Sequence, residues 1–362
     1  MIRRARYRCS KTGRITCPLD EVLDLPPGDV TASLARRALR LGTYVSFAAL
    51  QEELAIQHDV RLSDSTLNLL MQAAGSAAEG DRQRVLDRLQ SAPMGMVREQ
   101  AVAADPLESW PERLYVSCDG VMYPTRYREN CPDRPGEKHL IYQEMKAGAV
   151  FWQDRSGQWR KRVVSGRDNP QRFGLSLWRL AVQCGMLNVE DVVFISDGAS
   201  WCETVAEMYF KDATRILDWY HLSEHIWETA RLLYPNSGKL AKGWAKSCLS
   251  DLHDSSGIGL LRRLERSRAV RPEPEQAILD KLIGYLRPRL AITDYVDYRA
   301  EGYVIGSGMM ESTCKQLVSQ RLKGAGMQWS ESGALAMTAL IGHRINGTWN
   351  RFWSTRPLQR AA

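Results

Sequence analysis

No apolar run in this sequence approaches the roughly 18 residues that a membrane-spanning helix needs. The opening Met1-Ile2-Arg3-Arg4-Ala5-Arg6 lacks the apolar core of a secretory signal. No membrane partner is therefore expected, and a cytoplasmic, nucleoid-associated location is. C-x-x-C spacing is also missing: the eight thiols, Cys9, Cys17, Cys118, Cys131, Cys184, Cys202, Cys248 and Cys314, are scattered, several inside apolar stretches. That scatter removes the usual sign of a structural zinc site, and the cysteines read as reduced, small apolar side chains.

What is present is ordinary for a folded protein. At 362 residues, with 44% hydrophobic and 25% charged, the chain can bury one large core and a smaller one, or two comparable cores. Its formal charge of +7 favours a polyanion as partner, which composition alone does not resolve into nucleic acid or an anionic surface.

Periodicity divides the chain. Residues 1–105 read as mainly helical after a short basic, extended start. Over 33–41, Arg36, Arg37 and Arg40 lie beside Leu34, Ala38 and Leu41, an amphipathic helix with a positive face. Two short helices follow, one carrying Phe47, Leu50 and Leu54, the other Leu67, Leu70, Met71 and Ala74 with Ser63 or Ser65 as cap. The pair resembles a helix-turn-helix. The second helix has no Lys or Arg from Asp64 to Ala74, so base contacts would fall to Ser65, Thr66, Asn68 and Gln72, and a plain packing role is the alternative. Residues 101–111, with Pro106 and Pro111, read as a linker.

Residues 106–362 change pattern. Strands are expected at 113–118, 141–152, 158–164, 191–196 and 213–220, and helices at 169–186 and 201–210, an α/β arrangement with a mixed sheet. From about 222 to 302 the chain turns helical and highly charged, with Arg262, Arg263, Arg266, Arg268 and Arg271, and reads as an insertion. Helices at 309–322 and 331–349 close it.

Two segments share one grammar, an apolar strand ending in Asp-Gly: Leu114-Tyr115-Val116-Ser117-Cys118-Asp119-Gly120 and Val192-Val193-Phe194-Ile195-Ser196-Asp197-Gly198. Carboxylates at strand ends lie in the crevice where α/β proteins bind ligands. Asp-Gly is equally a hairpin pair, a reading that weighs more on Asp119 because another strand follows. For Asp197, Ser200 and Glu203 supply a capping box and leave the aspartate free. Glu311 opens a helix after Gly306-Ser307-Gly308, where its local role is the helix dipole and an i,i+4 pair with Lys315. Taken together, two aspartates and one glutamate have the ligand chemistry for two Mg²⁺ ions that also keep water and phosphate, while Lys315, Arg321 and Lys323 could meet phosphates.

The blocks Val116-Ser117-Cys118-Asp119-Gly120-Val121-Met122, Ser196-Asp197-Gly198-Ala199-Ser200-Trp201, Ile216-Leu217-Asp218-Trp219-Tyr220-His221-Leu222-Ser223-Glu224-His225, Gly306-Ser307-Gly308-Met309-Met310-Glu311-Ser312 and Arg321-Leu322-Lys323-Gly324-Ala325-Gly326-Met327-Gln328-Trp329 resemble, in order, those of Kra-type bacterial insertion-sequence transposases. The resemblance implies an RNase H-like fold with a helical insertion, an Asp-Asp-Glu triad at Asp119, Asp197 and Glu311, two Mg²⁺ or Mn²⁺ ions, and element-end and target DNA as partners of a homo-oligomer. Asp119 would then bridge both ions, with Asp197 and Glu311 completing one site each. Asp218 and His221 resemble that family's supporting Asp/Cys-x-x-His signature. The chain departs from the family before Pro18-Leu19-Asp20, where Thr12 stands in place of a partner thiol for Cys9 and Cys17.

Two other readings follow from particular residues. That departure suits a truncated or domesticated transposase that binds DNA without cutting it. Asp218, His221 and His225 share a face if helical, which suits a zinc hydrolase, although a satisfied hydrogen-bond cluster explains the spacing more simply.

Overall fold

The computed structural model describes residues 5–13, 15–19, 30–92, 110–130 and 138–355. Cys131 and most of the expected linker at 101–111 lie outside them. The basic start forms a small antiparallel pair, β1 (Tyr7–Arg8) with β2 (Ile15–Thr16). Helix α1 (Ala32–Gly42) is capped by the Thr31 hydroxyl, which accepts from the Leu34 N–H. It buries Ala35, Ala38 and Leu39 and leaves Arg36, Arg37 and Arg40 exposed, as the amphipathic pattern predicts.

The short helix pair is half right. Helix α2 (Phe47–His58) is short, but its partner α3 (Asp64–Ser91), capped by Ser63, runs for 28 residues. Its length comes from a distant partner, α12 (Glu331–Ile345). A Cβ on Gly75 would stand 2.3 Å from the Ala336 carbonyl oxygen, so the two backbones nearly touch. The proposed base-reading residues Ser65, Asn68 and Gln72 line a cleft of 430 Å³ with Arg126, Gln328 and Trp329 of the same chain.

Five strands form one mixed sheet in the order β5-β4-β3-β6-β7. Strand β3 (Arg113–Asn130) pairs antiparallel with β4 (Lys138–Gln153), and β4 with β5 (Trp159–Gly166). Strands β6 (Asp191–Ser196) and β7 (Thr214–Leu217) run parallel to β3. Alternation gives the sheet two buried faces. Tyr115, Val121, Tyr123, Ala147, Phe151, Val193 and Ile195 point to one, packed with the C-terminal helices and the middle of α3. Leu114, Val116, Cys118, Val150 and Phe194 point to the other, under α4 (Pro170–Gln183) and α5 (Ser200–Tyr209).

The expected strand at 213–220 stops at Leu217, because the Asp218 carboxylate caps the next helix, accepting from the Tyr220 and His221 N–H groups. That helix, α6 (Trp219–Leu233), opens the expected insertion. It continues through α7 (Gly238–Ala269), kinked at Ser255 and Ser256, then α8 (Glu273–Leu286), a 3₁₀ turn (Arg287–Ile292) and α9 (Tyr295–Ala300). Much of the insertion's basic run is paired internally: Arg263 with Asp251, Arg268 with Asp280, and Arg271 with Glu275. Helix α10 (Gly308–Cys314) passes through a π turn (Lys315–Ser319) into α11 (Gln320–Leu322); α12 and α13 (Trp349–Ser354) follow. Among the described residues, no helix is long and apolar enough to cross a membrane.

Candidate active site

Asp119 is not in a turn. Strand β3 continues through Asp119-Gly120, with Asp119 opposite Ala147 of β4, because cross-strand pairing outweighs the local turn preference of Asp-Gly. Its parallel neighbour β6 does end there: the last β3–β6 pair is Ser117 with Ile195. Asp119 and Asp197 each stand two residues beyond that pair. Carried past that last pair, the register brings Asp119 of β3 level with Asp197, in the turn just beyond β6, on neighbouring strands that run roughly 4.8 Å apart.

Their electrostatics agree. Both aspartates are half-buried. Desolvation, first, and the nearby Asp197 charge raise the Asp119 carboxyl above the ordinary Asp range, against the opposing pull of the Gly120 N–H. Asp119 Oδ1 accepts from that N–H at 2.6 Å, and among the described residues Oδ2 accepts only a thiol, from Cys314 at 3.6 Å. Asp197 is less free than the capping-box reading supposed. Ala199, not Ser200, is the N-cap of α5, and Asp197 Oδ1 accepts from the Ala199 N–H at 2.8 Å, while Glu203 pairs with Arg215. No hydrogen bond engages Asp197 Oδ2 among the described residues.

Glu311 is near this crevice only through its helix, and no contact joins it to either aspartate among the described residues. Cys314, which touches Asp119, lies one turn beyond Glu311 on α10, so both face the same side. Glu311 and Lys315 are exposed, and the expected ion pair between them is absent among the described residues. The Asp218 carboxylate, itself buried, accepts the Ser307 N–H and hydroxyl as well as the two N–H groups of α6. This clasp pins the Gly306-Ser307-Gly308 approach to Glu311 against the start of α6.

The same occupancy answers the zinc reading. With its oxygens engaged by four donors, Asp218 makes a satisfied hydrogen-bond cluster, beside a His221–His225 contact of 3.2 Å between Nε2 atoms. Among the described residues no three His, Cys, Asp or Glu side chains are gathered to hold a metal ion. Among the described residues, two acidic oxygens, Asp119 Oδ2 and Asp197 Oδ2, stand clear of N–H donors. That suits Mg²⁺, which binds through one or two carboxylates and completes its shell with water and substrate phosphate.

Sequence reasoning missed the hold that the insertion has on Asp197. Tyr285 donates its hydroxyl to the Asp197 carbonyl at 2.7 Å, and Arg289 donates to the Gly198 carbonyl at 2.7 Å while stacking on the Tyr285 ring. Gly198 is needed there: its φ is 80°, and a Cβ would meet Arg289 Nε at 2.4 Å. His225 packs on the same tyrosine, and burial, then His221, lowers its pKa. Only the Asp197-Gly198 turn gave any signal of this in sequence.

Arg321 is a correction. It is buried rather than open to phosphate: Nε donates to the Gly42 carbonyl at 2.8 Å, and the guanidinium lies over the Phe47 and Trp329 rings. Desolvation lowers its pKa to about 10. It ties α11 to the N-terminal helices. Lys323, by contrast, is exposed.

The family model of an uncharacterised protein family, UPF0236, matches residues 182–355, a stretch that includes Asp197 and Glu311 but not Asp119. No curated protein matches the chain. Among solved structures, the Drosophila P element transposase strand transfer complex is similar at 12% identity and a TM-score of 0.30, over 91% of this chain and 80% of that one.

Proposed function

We propose that this chain is a DNA transposase of the Asp-Asp-Glu class, of the Kra-type insertion-sequence kind, cutting element ends and joining them to target DNA. The observation that carries the reading is the pair Asp119 on β3 and Asp197 just past the end of the parallel strand β6, near enough for one charge to raise the other's proton affinity. Support also comes from the sheet order, three antiparallel strands followed by two parallel ones, which agrees with an RNase H-like fold, and from the five sequence blocks.

In this reading Asp119, Asp197 and Glu311 would hold two Mg²⁺ or Mn²⁺ ions. Bound there, such ions supply activation of the attacking hydroxyl and neutralise the leaving oxygen. Asp218 positions the Glu311 approach, and Tyr285 with Arg289 fixes the Asp197 turn, while His221 lies near Asp119. The exposed Arg36, Arg37 and Arg40 of the region 1–105, with Lys315 and Lys323 of the region 106–362, face solvent where phosphates of bound DNA would lie. Two DNA ends would be held by a homo-oligomer in the cytoplasm.

A second reading, a DNA-binding protein that does not cut, draws on one observation: among the described residues no three acids are gathered. A gel shift with element-end duplex beside a nicking assay in Mg²⁺ or Mn²⁺ separates the two. The proposal expects a shifted complex and metal-dependent nicks. A complex with no nicks at any metal concentration gives the case to the second reading.

A further inference from the structure

Three arginines line the seam between α3 and α4, and two of them are satisfied. The seam is closed by Leu86 and Leu89 against Leu175 and Val182. Arg82 is paired with Glu79 and Asp168. Arg172 is paired with Asp87 and bonded to Gln83 and Gln90. Arg179, one turn past Leu175 and one short of Val182, faces the same seam. It has no acidic partner among the described residues, and its half-buried side chain keeps Nε closed from water without a hydrogen bond.

Its neighbours add to the charge. Arg179 lines a cleft of 670 Å³ with Asp81, Arg84, Val85, Asp87 and Arg88. Both acids of that cleft are already engaged, Asp81 by Arg84 and Asp87 by Arg172. Desolvation, then Arg88 and Arg351, lowers the Arg179 pKa. A guanidinium keeps its proton under such pressure, so a screened, unpaired one beside further cations costs stability until an anion docks.

We infer that the α3–α4 seam at Arg179, with Arg88 and Arg84, is a binding site for a phosphate group, and that its occupant is a phosphodiester of the DNA backbone. The identity of the phosphate carrier rests on the function proposed above; the anion site itself rests on the seam. A planar guanidinium offers two parallel N–H donors to phosphate oxygens, and Arg88 stands exposed at the mouth.

The test uses the full chain, with Arg179→Met and Arg179→Lys. Melting is followed in inorganic phosphate against chloride at matched ionic strength, and affinity for a duplex of unrelated sequence is followed against salt. Phosphate should raise the melting temperature of wild type and leave Arg179→Met unmoved, and Arg179→Met without phosphate should melt no lower than wild type. The slope of log affinity against log salt should shrink by about 0.9, one phosphate contact, with Arg179→Lys close to wild type. A lower melting temperature for Arg179→Met with an unchanged slope makes the arginine structural and overturns the inference. Stabilisation by phosphate with an unchanged slope overturns the DNA assignment in favour of a small phosphate. A wild type that binds no duplex refutes the transposase reading, while the phosphate melts still judge the anion site.

Discussion

Asp119→Asn should abolish metal-dependent nicking while leaving the protein at least as stable as wild type. The lost ligation amounts to several kcal/mol at the transition state, on the order of a thousandfold in rate or more. The stability half follows from the raised Asp119 pKa. The folded protein holds this proton more tightly than the unfolded chain, so stability is lost as pH rises from the unfolded pKa through the higher folded one. An uncharged asparagine escapes that loss. At neutral pH, without metal, Asp119→Asn should melt at or above wild type, and the two should converge as the solution is acidified. A variant that nicks DNA at wild-type rate removes Asp119 from the chemistry, and one that melts well below wild type makes it structural.

Asp218→Ala should damage both fold and activity. It orphans the Tyr220 and His221 N–H groups at the start of α6 and both donors of Ser307. Loss of a helix cap and of a buried acceptor together costs about 3 kcal/mol, readable by urea unfolding. The segment that carries Glu311 is then unpinned. A displacement on the order of 1 Å near a reacting centre costs about a hundredfold in rate, so nicking measured on the folded fraction should fall by that much. Asp218→Asn, which keeps one acceptor, should lie between. Unchanged nicking in destabilised Asp218→Ala would make the clasp a matter of stability alone.

What was legible in the sequence follows from how local the physics is. Strand β6 could be read to its ends because Val192, Val193, Phe194 and Ile195 form one apolar run closed by Asp-Gly. Helix α4 was legible from the apolar face of Phe173, Leu177, Leu180 and Ala181, since that periodicity lies within one window. Strand β3 was cut short because Asp-Gly has a strong local turn preference, and only pairing with β4 carries the chain past it. The length of α3 was hidden for a similar reason: its first half is held by the distant α12 and its second half by α4, neither of which a short window contains.

The site shows the same division. Asp119 and Asp197 were visible as a repeated pattern, and the parallel register, starting from Arg113 opposite Asp191, explains why positions six residues on come level. Tyr285 and Arg289 carried no signal, because their contact is with a backbone turn nearly ninety residues away in the chain. Arg321 read as a phosphate contact because charge is visible in sequence and burial by Phe47 and Trp329 is not.

The central claim is that Asp119 and Asp197 share a divalent ion. Crystals of the protein soaked in Mn²⁺, with anomalous scattering recorded at the manganese edge, test it directly. The account predicts a peak between the two carboxylates at coordination distance, about 2.1 Å as for Mg²⁺, and its loss in Asp119→Asn. Saturating Mn²⁺ that leaves the space between these carboxylates empty, with the side chains turned apart, would contradict it.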